Sequence, residues 1–315
     1  MSYGLSQSTS PNLELVKTAL DALVDGVRLK PAAYGRADAL NPLVFSQMTS
    51  DKAAEVTSVI GGGGYFGKRT GDFQANTDRA KSAATPKVTI IAEFFGDLPI
   101  SRTFMADQQQ SAVSKAVKQE TMAYLASRDR NAMGAYALGF TTQLTIDAVA
   151  LFSNTHVNQN GDTVDNLETG ALADDTLNTT VVSLRGQLNQ VGVKVGYEPE
   201  FLLVSSTGHK NAITVAKSVL RAGSGNNDLN YYSEFYPGMQ VFFNQFLDDT
   251  STTAYFIGTS GHSVNRYERE AFNTNLVDWK TTAAAGQPDE YKYLMRSREE
   301  VDTITYDGVV GSTGV

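Results

Sequence analysis

Residues Met105 to Gly139 read MADQQQSAVSKAVKQETMAYLASRDRNAMGAYALG, a proline-free stretch of Ala, Gln, Lys, Glu, Arg and Met, all good helix formers. It predicts one long helix, with Asp107 in its first turn and with Gly134 and Gly139 marking where it weakens and stops. At about 1.5 Å per residue such a helix spans on the order of 50 Å, more than one compact core needs. Val113, Ala116, Val117, Tyr124, Leu125, Ala132, Met133 and Tyr136 recur at helical spacing but form a thin stripe. Lys115, Lys118, Arg128 and Arg130 fill the other faces. The helix therefore reads as a beam crossing one face of a sheet.

Working back from the beam, Val88 to Phe95 (VTIIAEFF) is a nearly continuous apolar run bounded by Pro86 and by Gly96-Asp97, and it predicts a strand. Pro99 and Ser101-Arg102 then lead into the helix. Before that strand, Glu55 to Ile60 (EVTSVI) alternates like a strand and runs into a glycine-rich segment. From Gly61 to Lys87 that segment holds five basic residues (Lys68, Arg69, Arg79, Lys81, Lys87) and two acidic ones (Asp72, Asp78). Its charge is thus +3 in a chain of −8, which leaves −11 on the remainder. A long loop opposite in sign to its own protein predicts a projecting hairpin that docks on an acidic neighbour. Those five basic residues are the candidate contacts. Residues 1 to 12 are Ser-rich, Leu13 to Val24 has the spacing of a short amphipathic helix, and Lys30 to Gln47 has the character of an extended arm that contacts a partner chain.

Beyond the beam, Thr141 to Phe152 is β-branched and apolar, and the Asn160-Gly161 pair in SNTHVNQNGDTVDN predicts a hairpin. Residues 174 to 191 carry N-terminal acids and the spacing Leu177, Val181, Leu184, Leu188, Val191, which predicts an amphipathic helix ended by Gly192. Phe201 to Ser206 predicts a buried strand, and His209 to Arg221 a helix with Ala212, Val215, Ala216 and Val219 inside. Met239 to Leu247 and Thr253 to Thr259 predict two further strands. This order describes a compact α/β subdomain over about 165 to 265. The alternating tail YKYLMRSREEVDTITYDG is expected to return to the first sheet beside the long helix.

Composition narrows the function classes. A chain of 315 residues can bury a sizeable core. A net charge of −8 argues against a surface that grips nucleic acid, because phosphate contacts need clustered Lys and Arg. With no cysteine there is no disulfide, thiol nucleophile or thiolate metal site, as fits cytosolic synthesis. No signal peptide and no apolar run of about 20 residues is visible.

No catalytic constellation emerges. Gly62 to Arg69 (GGGYFGKR) matches a phosphate-binding loop through Gly67 and Lys68, but Arg69 stands where a hydroxyl must coordinate Mg²⁺. A nucleotide-binding enzyme using residues 62–68 is the alternative from another class, and a Lys68→Ala change would abolish its Mg²⁺-dependent binding. His156, His209 and His262 are isolated, outside zinc spacing. Ser205-Ser206 lacks the nucleophile elbow. Asp174-Asp175 and Asp248-Asp249 read as a helix cap and a turn. No catalytic residue, cofactor or metal site is expected.

The run from Leu151 to Val215 resembles the major capsid proteins of tailed bacteriophages, in particular the Mu-type major head subunit group. The likeness is carried by Leu151-Phe152-Ser153 with His156, by Asn166 with Thr169 to Leu172, by Pro199 with Leu202 to Val204, and by the ending Asp307 to Gly314 (DGVVGSTG). Val157 departs from the proline common after the histidine. The resemblance implies an α+β chain with the Hong Kong 97 type capsid fold: an N-terminal arm over 1–54, an extended loop over 55–87, a peripheral domain over 88–164 with its spine helix at 105–139, an axial domain over 165–265, and a return to the peripheral domain over 266–315. It further implies a non-enzymatic subunit of the virion, assembled in the host cytoplasm. Such a subunit forms pentamers and hexamers of an icosahedral shell that encloses double-stranded DNA without specific binding. Implied partners are copies of itself, a separate scaffolding protein, a portal and a possible decoration protein; no membrane is involved. Some relatives crosslink a loop lysine to a neighbour's asparagine, which makes Lys68, Lys81 and Lys87 candidates by position. An encapsulin-like compartment shell shares the fold and is the other structural reading.

Overall fold

The computed structural model describes residues 10–28, 35–58, 86–103, 110–221, 228–278 and 290–315. In chain order the elements are α1 (Ser10–Arg28), β1 (Ser46–Thr49), β2 (Ala54–Thr57), β3 (Lys87–Ile90), β4 (Glu93–Ser101), α2 (Gln110–Ala137), β5 (His156–Val157), β6 (Thr163–Val164), β7 (Leu167–Glu168), α3 (Asp174–Gly186), β8 (Phe201–Ser205), α4 (His209–Lys217), α5 (Tyr231–Phe235), β9 (Gln240–Asn244), β10 (Tyr255–Gly258), β11 (Val264–Val277), β12 (Glu290–Thr303) and β13 (Val309–Ser312). They form two compact units, one drawn from residues 1–31, 91–129 and 268–299 and the other from 32–90, 130–267 and 300–315. The long α2, β11 and β12 each contribute residues to both.

In the first unit β12 pairs antiparallel with β4, from Glu290↔Ser101 to Arg298↔Glu93, within a sheet of order β1-β11-β12-β4. Strand periodicity puts Tyr293, Met295 and Ser297 on the face that α2 covers. Val113 and Val117 of α2 and Leu20 and Val24 of α1 pack there with Ile100 and Leu276. Asp21 anchors α1 by accepting from the hydroxyls of Thr274 at 2.5 Å and Tyr293 at 2.6 Å. On the opposite face Arg296 bridges Glu93 at 3.0 Å and Glu270 at 3.2 Å. Gly96-Asp97 do not end β4 where the sequence suggests, and neither does Pro99. It lies inside β4, which a proline can do because β4 is an edge strand whose outer N–H groups have no ladder partner to lose.

The second unit holds the larger core. Its sheet has order β7-β13-β10-β8-β9, with β10 antiparallel to β8 and β13, and with β9 and β7 parallel to their neighbours. Every residue of β8, β10 and β13 is buried. The alternation sorts Phe201 and Leu203 to one core with Phe45, Tyr136, Phe152 and Phe256, and Leu202 and Val204 to another with Leu177, Val181 and Leu184 of α3 and Ala212, Val215 and Ala216 of α4. A strand buried on both faces reads as a continuous apolar run, which is why FLLV was legible. Each such side chain contributes about 1.5–3 kcal/mol by leaving water. Gly258 and Gly311 let the layers close. An added Cβ would lie 2.6 Å from Phe201 Cζ at Gly258 and 2.7 Å from the Phe152 ring at Gly311.

The course of α2 explains its weak stripe. Val113, Val117 and Thr121 bury a narrow strip in the first half, whereas Ala132, Met133, Ala135 and Tyr136 bury a wide arc in the last turns. One helix serving two cores has no single apolar face. It spans 28 residues, about 42 Å, and residues 105–109 of the expected helix fall outside the described ones.

Several expectations are corrected. The segment from Gly35 to Phe45 is not a free arm, since Ala37, Ala39, Val44 and Phe45 are buried in the chain's own core and the N–H of Ala37 donates to Phe243 at 2.9 Å. The run Val88 to Phe95 is two strands broken at Ile91-Ala92, not one. Helix α3 stops at Gly186, short of Gly192, because Gln187 is drawn into the core. Its amide donates to Tyr306 O at 3.0 Å and accepts from the N–H of Gly308 at 2.9 Å. Helix α4 stops at Lys217 and leaves Val219 72 % exposed, not inside. Finally, the tail divides. Residues 290–303 do return beside β4, but Val309–Ser312 enters the five-stranded sheet between β7 and β10, where all four residues are buried.

Candidate intersubunit surface at the base of the loop

Strands β2 and β3 flank the glycine-rich segment of the sequence and pair as a two-stranded ribbon, Ala54↔Ile90 through Thr57↔Lys87. Alternation gives the ribbon two unlike faces. Glu55, Thr57, Lys87 and Thr89 share one, and each makes a polar contact inside the chain. Lys87 donates to Asp302 Oδ1 at 2.5 Å, to Leu144 O at 2.6 Å and to Thr303 O at 2.7 Å. Thr89 donates to the second Asp302 oxygen at 2.5 Å. Glu55 accepts from Ser50 at 2.5 Å, and the Thr57 hydroxyl meets that of Tyr267 at 3.4 Å. The other face carries Val56, Val88 and Ile90, which are 63, 56 and 74 % exposed. The ribbon is therefore inverted, polar side in and apolar side out.

Asp302 is the hub of the inner face. Besides Lys87 and Thr89 it accepts from Gln143 Nε2 at 2.9 Å and from the N–H of Thr303 at 2.8 Å. Lys87 is thereby held inside the chain, in β3. Lys68, Arg69, Arg79 and Lys81 lie outside the described residues, as does Gly62 to Arg69.

The remaining sequence candidates are dispersed. His156 is fully buried, with Nδ1 2.8 Å from Asp147 Oδ2 and Nε2 3.1 Å from Leu151 O. Both ring nitrogens thus face acceptors. Burial works against the Asp147 carboxylate, yet hydrogen bonds from His156 and Thr145 outweigh it and hold its pKa below the ordinary value. Ala148, at φ 61, turns the chain so that Asp147 meets the ring. Close by, burial pushes the Asp307 carboxyl up to about 6, against a hydrogen bond from Thr305. Among the described residues its Oδ1 and the Tyr306 hydroxyl have no hydrogen-bond partner. His262 is buried between Leu43 O at 3.0 Å and the N–H of Val264 at 3.1 Å, and burial lowers its pKa to about 4. His209 opens α4 with its ring 4.4 Å from Phe243.

Asp174 and Asp175 sit in the first turn of α3 and pair with Arg221 at 2.8 and 2.9 Å. Asp248 accepts from the backbone and hydroxyl of Ser206 and Thr207. Among the described residues no group of three or more His, Cys, Asp or Glu could hold a metal ion, and no helix is long and apolar enough to cross a membrane.

Sequence reasoning missed Asp302 and Gln143, whose partners lie far away in the chain. It also missed a second exposed apolar patch on the second unit, formed by Val219, Leu220, Leu229 and Phe235, with the Tyr231 ring tilted 4.7 Å from that of Phe235. The signal for the ribbon was present in the alternation of EVT and KVTI, but alternation does not say which face is inward.

No protein-family model matches the sequence, and no curated relative does at a significant level. Solved structures do match. The procapsid of bacteriophage JBD30 aligns over 97 % of this chain and 76 % of its own at 14 % identity and a TM-score of 0.51. The virus-like particle from Pyrococcus furiosus aligns over 94 % and 98 % at 10 % identity and 0.51. The capsid of cyanophage P-SCSP1u aligns over 90 % of each at 12 % identity and 0.52. Alignment to these shell structures over nine tenths or more of the chain establishes that this protein has the Hong Kong 97 type capsid fold.

Proposed function

We propose that the chain is the major capsid protein of a tailed bacteriophage, a structural subunit without enzymatic activity. Its copies form pentamers and hexamers of an icosahedral shell around double-stranded DNA, assembled in the host cytoplasm. The single observation that carries this reading is alignment over nine tenths or more of the chain to a procapsid and a capsid. The inverted ribbon supports it, because apolar side chains turned outward at the root of a long loop are a surface for another subunit. In this reading residues 55–87 are the extended loop, 105–139 the spine and 165–265 the axial domain. Lys68, Arg69, Arg79 and Lys81 dock on an acidic neighbour. The acidic balance of the rest of the chain repels the packaged genome weakly. A separate scaffolding protein, a portal and a decoration protein are the further partners.

A compartment of the encapsulin type is the second reading, favoured by the match to the Pyrococcus particle. Expression of the chain followed by negative-stain electron microscopy and sedimentation tests both. Closed shells, tubes or five- and six-membered rings that weaken as salt is raised are expected. Shells that carry an enzyme cargo instead of filling with DNA during phage growth would move the assignment to the compartment. A monomer that binds nucleotide with Mg²⁺ would remove both.

A further inference from the structure

We propose that Lys87 and Asp302 form a latch that fixes the ribbon polar side down and so presents Val56, Val88 and Ile90 to a second copy of this chain, a step that rests on the shell-forming reading above.

The latch differs from an ordinary surface ion pair in its completeness. An ammonium has three N–H donors, and those of Lys87 meet Asp302, Leu144 O and Thr303 O at 2.5–2.7 Å. None is left for a neighbour or for amide formation, so Lys87 is a positioning residue and not a crosslinking one. Asp302 is buried and saturated in turn, by Lys87, Gln143 and the Thr303 N–H on one oxygen and by Thr89 on the other. Lys87 and Thr89 stand two apart on β3 and bond the same carboxylate, so the strand has one allowed face. A slip of one residue would set Val88 and Ile90 against the carboxylate and strand the ammonium.

The occupant follows from charge. The sequence between the two strands, residues 61 to 86, carries +2 without Lys87 in a chain whose remainder is −10, so another copy of the chain offers the complementary surface. Val56, Val88 and Ile90 are the described part of the docking edge. Its orientation is set inside the subunit before any partner arrives.

Amide hydrogen exchange and sedimentation of Lys87→Met and of the double variant Val88→Ser/Ile90→Ser test this. In Lys87→Met, exchange at residues 54–57 and 87–90 should rise at least tenfold, that at residues 201–205 should stay as in the parent, and the assembled fraction should fall at least tenfold. In the double variant, ribbon exchange should be unchanged and assembly lost. Thr89→Val removes only one bond to Asp302 and should give a smaller change in the same direction, which keeps the test open if Lys87→Met fails to fold. Unaltered ribbon exchange in both Lys87→Met and Thr89→Val would overturn the latch. Parent-like assembly of the double variant, or loss only of a co-expressed second protein, would overturn docking of a second copy. If the parent itself forms no assembly, the shell reading and the docking both fall, while the exchange data still decide the latch.

Discussion

The five-stranded sheet and the β2–β3 ribbon are built from the same residue types and reach opposite ends. In the sheet, Val, Ile, Leu and Phe alternate between two cores, and every residue of β8, β10 and β13 is buried. In the ribbon, Val56, Val88 and Ile90 alternate with Thr, Glu and Lys, and here the apolar set faces out. The difference lies in what the polar set finds. Lys87 and Thr89 find a buried carboxylate, and a fully bonded buried carboxylate outweighs the exposure of three aliphatic side chains. Burial of apolar area therefore does not decide the orientation of a short ribbon when a buried charge is available to it.

The contrast is broken most strongly from the side of the sheet. Phe256 packs against Tyr136, Phe140 and Phe152 at ring distances of 5.1–5.6 Å. Phe256→Ala should lower the unfolding free energy by about 3–5 kcal/mol in a denaturant titration. A middle effect is expected at the turn between β12 and β13. Because burial raises Asp307 to about 6, its stabilising contribution is full below about pH 4 and is lost as pH rises through 6. Asp307→Asn should thus stabilise the subunit at pH 8 by on the order of 3 kcal/mol, and this gain should shrink as pH is lowered through 6. His262, depressed to about 4, acts in the opposite sense and loses stability as pH falls from about 6.5 to 4. The parent's own profile in that window is a difference of the two, so parent and variant must be titrated side by side. The smallest effect belongs to the ribbon, where Val88→Thr should change subunit stability by less than about 0.5 kcal/mol by the same titration. A loss of several kcal/mol there would mean that the exposed face is covered within the subunit.

What was legible in the sequence follows the same division. Elements whose partners are local or whose faces are all buried could be read: the run FLLV, the Asn160-Gly161 hairpin with Gly161 at φ 89, and the body of α2. Elements decided by distant partners could not. Gln187 leaves a helical pattern because Tyr306 and Gly308 hold its amide. Ala37 and Phe45 look like an arm until the sheet they cover is known. Asp302 is one acid in a charged strand until Lys87 and Gln143 converge on it. The candidate docking surface was half legible: the charge split of the loop was visible, and the inversion of its base was not.

The place of β13 has a consequence for synthesis. It lies between β7 and β10, so Leu167 has no ladder partner until Gly311 has been made. The rest of the sheet can form earlier on the ribosome, but it then shows two raw strand edges, the condition from which edge-to-edge aggregation starts. A translation product cut short before Val309 leaves those edges open permanently. Placement of β13 therefore joins β7 to the rest of the sheet and covers both of those edges in one step.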